Sequence, residues 1–226
     1  MKMKFLLIFI ASGSLLFSGC KHDNYEEPNS VLSGRVMYNG QPVGVRTNGP
    51  QLELWQDGFA LRTLIPVHIS HDGTFSASLF NGTYKLVRKG NSPWLQQSTD
   101  TILVQVNGNT NLDVPVTPYF EIKNESYAVA NNTVTANFTV DKVVATSNNL
   151  QFVKLYLGSS ILTDEVRKEH AVNANVSSLV LGANTSLTTT IPDNLKNLPY
   201  IFVRLGVKST ATGEYSYTQV QKVSLK

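Results

Sequence analysis

Chemistry at a protein surface needs nucleophiles, paired acids, metal ligands or stacking rings, and each leaves a mark in sequence. Serines, histidines and aspartates are present, but no Gly-x-Ser-x-Gly turn lifts a serine nucleophile above a strand. There is no His-Glu-x-x-His zinc helix and no glycine-rich phosphate loop. His68 and His71 lie three apart in a strand that leads to a turn, so they project to opposite faces and make a poor metal pair. Asp72-Gly73 reads as a hairpin turn rather than a calcium ligand. Glycoside cleavage needs two carboxyl groups about 5–9 Å apart. Glu26-Glu27 sit in a tether, and Asp164-Glu165 belong to a charged stretch with no implied pocket. No catalytic residue, metal site or cofactor is expected, and the chain reads as no enzyme.

Stacking chemistry is better represented, because sugars lay their apolar C–H faces on Trp and Tyr. Trp55 follows Leu52 and Leu54 in an alternating run, so it points away from the core with Glu53. There it serves as a ligand platform, an interdomain contact or an edge cover. Trp94 falls in the loop Gly90-Asn91-Ser92-Pro93-Trp94, where it either presents a recognition ring or plugs the end of a core. Tyr215 and Tyr217 share one strand face and form a candidate aromatic strip. These four are the candidate glycan-binding residues. Tyr119 beside Phe120 reads as packing at a domain seam.

The elements that carry them are strands. Leu32/Val36, Leu52/Leu54, Ile65/Val67/Ile69, Phe75/Ala77/Leu79, Tyr84/Leu86, Ile102/Val104/Val106 and Leu112/Val114/Val116 each alternate with period two. Asn39-Gly40, Asp57-Gly58, Asp72-Gly73 and Asn81-Gly82 separate them as turns. About seven short strands in this rhythm predict an antiparallel β-sandwich over 31–117. Pro115-Val116-Thr117-Pro118 interrupts the ladders and marks a seam. A second all-β domain over 118–226 follows, in which Val134, Ala136, Phe138 and Val140 share one face and Ile201, Val203, Leu205 and Val207 another. Residues 161–172 carry the one mature stretch of helical character, as a short helix or an irregular crossover. Val220 and Val223 break the alternation of the last strand and predict a bulge.

The N-terminus adds a compartment. Lys2 and Lys4 precede an apolar run of about a dozen residues, too short to span a bilayer, and Ser18-Gly19 precede the single cysteine, Cys20. Leu16-Phe17-Ser18-Gly19-Cys20 resembles the lipobox of bacterial lipoproteins. That resemblance implies cleavage after residue 19 and acylation of Cys20, an effectively permanent membrane anchor. Residues 20–30 form a polar, acidic-leaning tether, similar to the surface-export signal of Bacteroidetes lipoproteins. Residues 1–19 hold two lysines and no acids, so the formal charge falls from +3 to +1 on cleavage. No basic patch remains for nucleic acid.

Gly34-Arg35-Val36, Asn39-Gly40-Gln41-Pro42-Val43, Asp72-Gly73-Thr74-Phe75 and Asn81-Gly82-Thr83-Tyr84-Lys85-Leu86 resemble the transthyretin-like, carboxypeptidase regulatory-like domain. That family runs straight from Pro-Val into its next strand, whereas here Arg46-Thr47-Asn48-Gly49-Pro50 interposes a longer loop. The second domain resembles an immunoglobulin or fibronectin type III sandwich, with Leu195-x-x-Leu198-Pro199-Tyr200 similar to a tyrosine corner. Together with Ser92-Pro93-Trp94 and Val116-Thr117-Pro118-Tyr119-Phe120, the whole resembles uncharacterised Bacteroidetes lipoproteins associated with starch-utilisation-system-type (Sus-type) glycan uptake. The resemblance implies an outer-membrane, cell-surface accessory protein. A polysaccharide ligand, an outer-membrane glycan transporter and its binding lipoprotein are the implied partners. A protein-binding scaffold or adhesin is the alternative. Asp100-Thr101-Ile102 resembles a Bacteroidetes O-glycosylation site, with Thr101 the acceptor.

Overall fold

A computed structural model describes residues 26–58, 61–96, 101–145 and 148–226. The signal segment, Cys20 and Asp100 lie outside the described residues. Within them every regular element is a strand, and no helix is long and apolar enough to cross a membrane.

The first domain comprises two sheets. In one, β1 (Ser30–Tyr38) pairs antiparallel with β2 (Gln41–Pro42) and β5 (Thr74–Leu79), and parallel with β8 (Asn109–Asn111) and β9 (Val114–Pro115). The parallel pairs make this sheet mixed rather than purely antiparallel. The other is an antiparallel sheet in the order β4 (Ile65–His68), β3 (Gln51–Trp55), β6 (Gly82–Arg88), β7 (Ile102–Val106). The alternating apolar residues meet between them: Leu32, Val36, Leu52, Leu54, Tyr84 and Leu86 are all essentially inaccessible. Full burial of a leucine contributes about 1.5–3 kcal/mol, so this shared face fixes the register of both sheets.

The second domain repeats the plan. A three-stranded sheet runs β10 (Phe120–Ala130), β11 (Thr133–Lys142), β14 (Asn184–Thr190). It packs on a sheet of β13 (His170–Asn173), β12 (Leu150–Gly158), β15 (Tyr200–Ser209), β16 (Tyr215–Tyr217) and β17 (Gln221–Ser224). Val134, Ala136, Phe138 and Val140 from β11 meet Leu155, Leu157, Ile201, Val203 and Leu205. All strand pairs here are antiparallel.

Residues 159–169 form turns rather than a helix, and β13 follows. Asp164 explains this locally, because its carboxylate accepts the Val166 and Arg167 N–H groups at 2.8 and 2.9 Å and holds a tight turn. The expected bulge is present. Gly206 faces Tyr217 but Val203 faces Gln221, so three steps along β15 are matched by four along β16–β17.

Candidate functional site

The last-strand bulge is where the two domains join. Arg204, on β15 opposite the extra residue, is fully buried. Its guanidinium donates to the carbonyls of Thr218 (2.9 Å), His71 (3.2 Å) and Val45 (3.3 Å), the latter two in the first domain. It also stacks 4.3 Å from the Tyr217 ring centre. Burial pulls its pKa down to about 10, so it remains a cation at neutral pH. Gln219, within the bulge, donates to the Pro42 and Asp72 carbonyls at 3.1 and 3.2 Å.

The loop at 46–50, with its neighbours, supplies the other half of the joint. Arg46 makes a two-pronged contact with Glu214 at 2.6 and 2.7 Å, and the Thr47 N–H reaches Asp164 at 3.1 Å. Asn91 accepts the Gly213 N–H at 2.8 Å. Gly44 forms a β-bridge with Tyr217, and a Cβ there would lie 2.6 Å from the Arg204 guanidinium and 2.7 Å from the Tyr217 carbonyl. Only glycine lets the two backbones approach this closely.

This joint leaves a cleft of about 400 Å³ between the domains, walled by β1–β2, the start of β10, and β15–β16. A second bulge shapes it. Lys123 faces Thr139 and Ser126 faces Asn137, so β10 holds one extra residue around Asn124 and Glu125. Asn124 sits at φ 53°, a left-handed conformation that asparagine tolerates better than most residues. The bulge turns successive side chains toward the cleft, as bulges beside binding sites commonly do.

The cleft's polar groups divide into two sets. Gln219 is committed to the joint, and Lys123 to Glu121 (3.3 Å) and Asp141 (2.7 Å). The Tyr217 hydroxyl accepts the Glu165 N–H at 3.2 Å. By contrast, the side chains of Tyr38, Gln41, Asn124 and Glu125 make no hydrogen bond to another residue among the described residues. Burial raises the pKa of Glu125. A half-withdrawn carboxylate, two amides and the half-buried Tyr38 phenol form an array that donates to and accepts from hydroxyl groups.

The residues singled out in sequence fare differently. Trp94 is 1% exposed and plugs the first core beside Pro118, so it offers no ring face to a sugar. Tyr215 and Tyr217 do share a face, but both are 5% exposed and pack with Tyr156 at ring separations of 5.7–6.3 Å. They are a buried cluster rather than a surface strip. The turns at 159–169 cover it, with Glu165 accepting from the Tyr156 hydroxyl at 2.7 Å and from Lys154 at 3.0 Å. Tyr200 is not a tyrosine corner: the residue is 37% exposed, with Lys222 3.6 Å from its ring centre.

Trp55 does project outward, half-buried, with the Arg62 guanidinium 5.2 Å over its ring. Its surroundings, Arg62, Lys85 and Asp57, belong to the first domain. Thr101 is exposed. His68 bonds Gln51 at 3.2 Å, and no group of three or more His, Cys, Asp or Glu gathers among the described residues. Sequence reasoning missed the cleft residues, because strand alternation alone does not identify the faces that two domains bring together.

Comparison with known proteins bears on both domains. A family model described as the N-terminal domain of a protein of unknown function, DUF3823, matches residues 30–117, and the DUF3823 C-terminal domain model matches 120–222. A crystal structure of a DUF3823 protein from Bacteroides ovatus is 46% identical, with TM-score 0.83, covering 88% of this chain and 100% of that one. One from Parabacteroides merdae is 31% identical at TM-score 0.79, with the same coverage of both chains. A Bacteroides uniformis protein provisionally described as carbohydrate-binding shares the fold at TM-score 0.72 and 18% identity, again over 88% of this chain and 100% of its own. No curated protein matches significantly.

Proposed function

The chain belongs to the DUF3823 family of unknown function, and from that premise we propose that it is a non-catalytic, glycan-binding lipoprotein of a Sus-type uptake system. It is anchored at the outer-membrane surface through Cys20. The observation that carries the binding role is the interdomain cleft, where the side chains of Tyr38, Gln41, Asn124 and Glu125 make no hydrogen bond to another of the described residues. Saccharides need this combination of one ring surface and several polar groups that both donate and accept. The carbohydrate-binding description of the distant B. uniformis neighbour is in keeping with it.

The anchor and the cleft are spatially compatible. The tether enters at Ser30, which bonds Asn81 at 2.6 Å at one end of β1. Tyr38, at the other end of this nine-residue strand, lies in the cleft wall, roughly 27 Å further on. A tether of about ten residues reaches at most about 35 Å. A tether entering at Ser30 therefore attaches at the end of β1 remote from the cleft.

A scaffold role is favoured by a different surface. Cross-strand pairing aligns Trp55, Lys85 and Leu103 on the outer face of the β4-β3-β6-β7 sheet. Leu103 there is 68% exposed, and Leu61, one residue before Arg62, is 79% exposed. Single exposed apolar residues are ordinary, but an aligned group suits a protein contact.

Affinity electrophoresis of the chain from residue 21 onward, which keeps every packed strand, separates these readings. Retardation by one polysaccharide of a broad panel, lost in Tyr38→Ala and kept in Trp55→Ala, is the expected result. If no glycan retards the protein, the binding role is wrong and the Trp55 face becomes the surface to probe.

A further inference from the structure

The cleft carries a charge pattern that narrows its ligand further. Resting on the saccharide reading above, we propose that the cleft selects neutral, hydroxyl-rich glycan units and rejects those bearing uronate or sulfate groups.

The β1–β2 wall supplies the polar groups of Tyr38 and Gln41, and the β15–β16 wall those of Ser216, Tyr217, Thr218 and the adjoining Gln219. None of these carries a charge at neutral pH. All the charge comes from β10: Glu121, Lys123 and Glu125. Lys123 is the sole cation of the lining, and it is already held between Glu121 and Asp141 of β11. Arg204 lies behind Tyr217, fully buried and turned onto backbone carbonyls, so it offers nothing to a ligand. Two lining carboxylates, with Asp141 behind Lys123, therefore stand against one ammonium, and Glu125 makes no ion pair among the described residues.

That balance treats two glycan classes oppositely. Neighbouring hydroxyls of a neutral sugar donate to the Glu125 carboxylate in charge-assisted bonds. The Gln41 and Asn124 amides and the Tyr38 hydroxyl take up the remaining donors and acceptors. A uronate or sulfate in the same place brings a second anion within a few ångströms of an unpaired carboxylate. With the partial screening of an open cleft, the repulsion lowers affinity at least tenfold. A binding site built for acidic glycans needs free Arg or Lys, and this lining provides none.

Isothermal titration calorimetry at fixed ionic strength tests this. The chain from residue 21 is titrated with neutral glucans, mannans and arabinans, and with polygalacturonate and chondroitin sulfate as acidic probes. The expected result is binding to a neutral polymer with at least tenfold weaker binding of both acidic ones. Glu125→Gln keeps the shape and removes the charge. It weakens the neutral ligand about tenfold and narrows the gap to the acidic probes. Gln41→Ala weakens the neutral ligand without narrowing that gap. Acidic polymers bound as tightly as neutral ones overturn the selectivity, as does Glu125→Gln leaving both classes unchanged. If acidic binding is strong and lost in Tyr38→Ala, the saccharide reading stands and only the selectivity falls. Absence of binding to every polymer overturns both.

Discussion

Asp164 and Glu165, adjacent in sequence, show how environment divides identical chemistry. Asp164 is fully buried and acts on backbone, closing its own turn and capping Thr47 of the other domain. Glu165 holds the lid over the tyrosine cluster. Burial alone would raise its pKa, but the hydrogen bonds from Tyr156 and Lys154 outweigh this and hold it below the usual carboxylate value. A carboxylate depressed in the folded state contributes stability at pH above its unfolded value of about 4.3. That contribution is lost as pH falls through the folded value. Urea midpoints measured from pH 7 to pH 3 should therefore fall less steeply for Glu165→Gln than for the unaltered protein. Equal slopes would mean the Glu165 contacts carry no pH-dependent stability.

Strands supply rigidity, and the two bulges supply direction. In β16–β17 the extra residue frees Gln219 to reach the first domain and sets Thr218 to accept from Arg204. In β10 it is made possible by Asn124 in the left-handed region. Asn124→Gly should leave stability within a few tenths of a kcal/mol. Asn124→Val, whose branched Cβ opposes that backbone, should cost about 1–2 kcal/mol. Chemical denaturation of the two variants checks this. Because the bulge aims Glu125, the valine variant should weaken glycan binding beyond the loss that removing the Asn124 amide causes in the glycine variant.

At the scale of the whole molecule, the joint rather than either core determines whether a cleft exists. Each domain buries its own apolar cluster, yet the cleft walls come from both. Gly44 is a point of close approach, where a Cβ would strike Arg204 and the Tyr217 carbonyl. Gly44→Val should undock the domains while leaving both cores intact. Small-angle scattering should show a larger radius of gyration with unchanged far-UV circular dichroism, and one thermal transition should become two. A variant as compact as the parent would show that the joint tolerates the side chain and that other contacts dominate docking.

The period-two alternation of Leu52/Leu54 or Val134/Ala136/Phe138/Val140 was sufficient for two all-β domains, because a strand with one buried face must repeat every second residue. The break at Val220 likewise announced a bulge, since an extra residue shifts the repeat by one. The loop 46–50 stood out as a departure, but its partner Glu214 lies 168 positions on from Arg46, beyond any local pattern. Alternation also left open what covers an outward face. Alternation puts Tyr215 and Tyr217 on one side of a strand, yet only the fold lays Glu165 and the 159–169 turns over them. The cleft was decided last. Its free groups, Tyr38, Gln41, Asn124 and Glu125, come from strands of different domains, and their freedom is a matter of which neighbours other side chains have already taken. Local sequence determines the faces of strands; only tertiary docking decides which of those faces meet and which polar groups are left for a ligand.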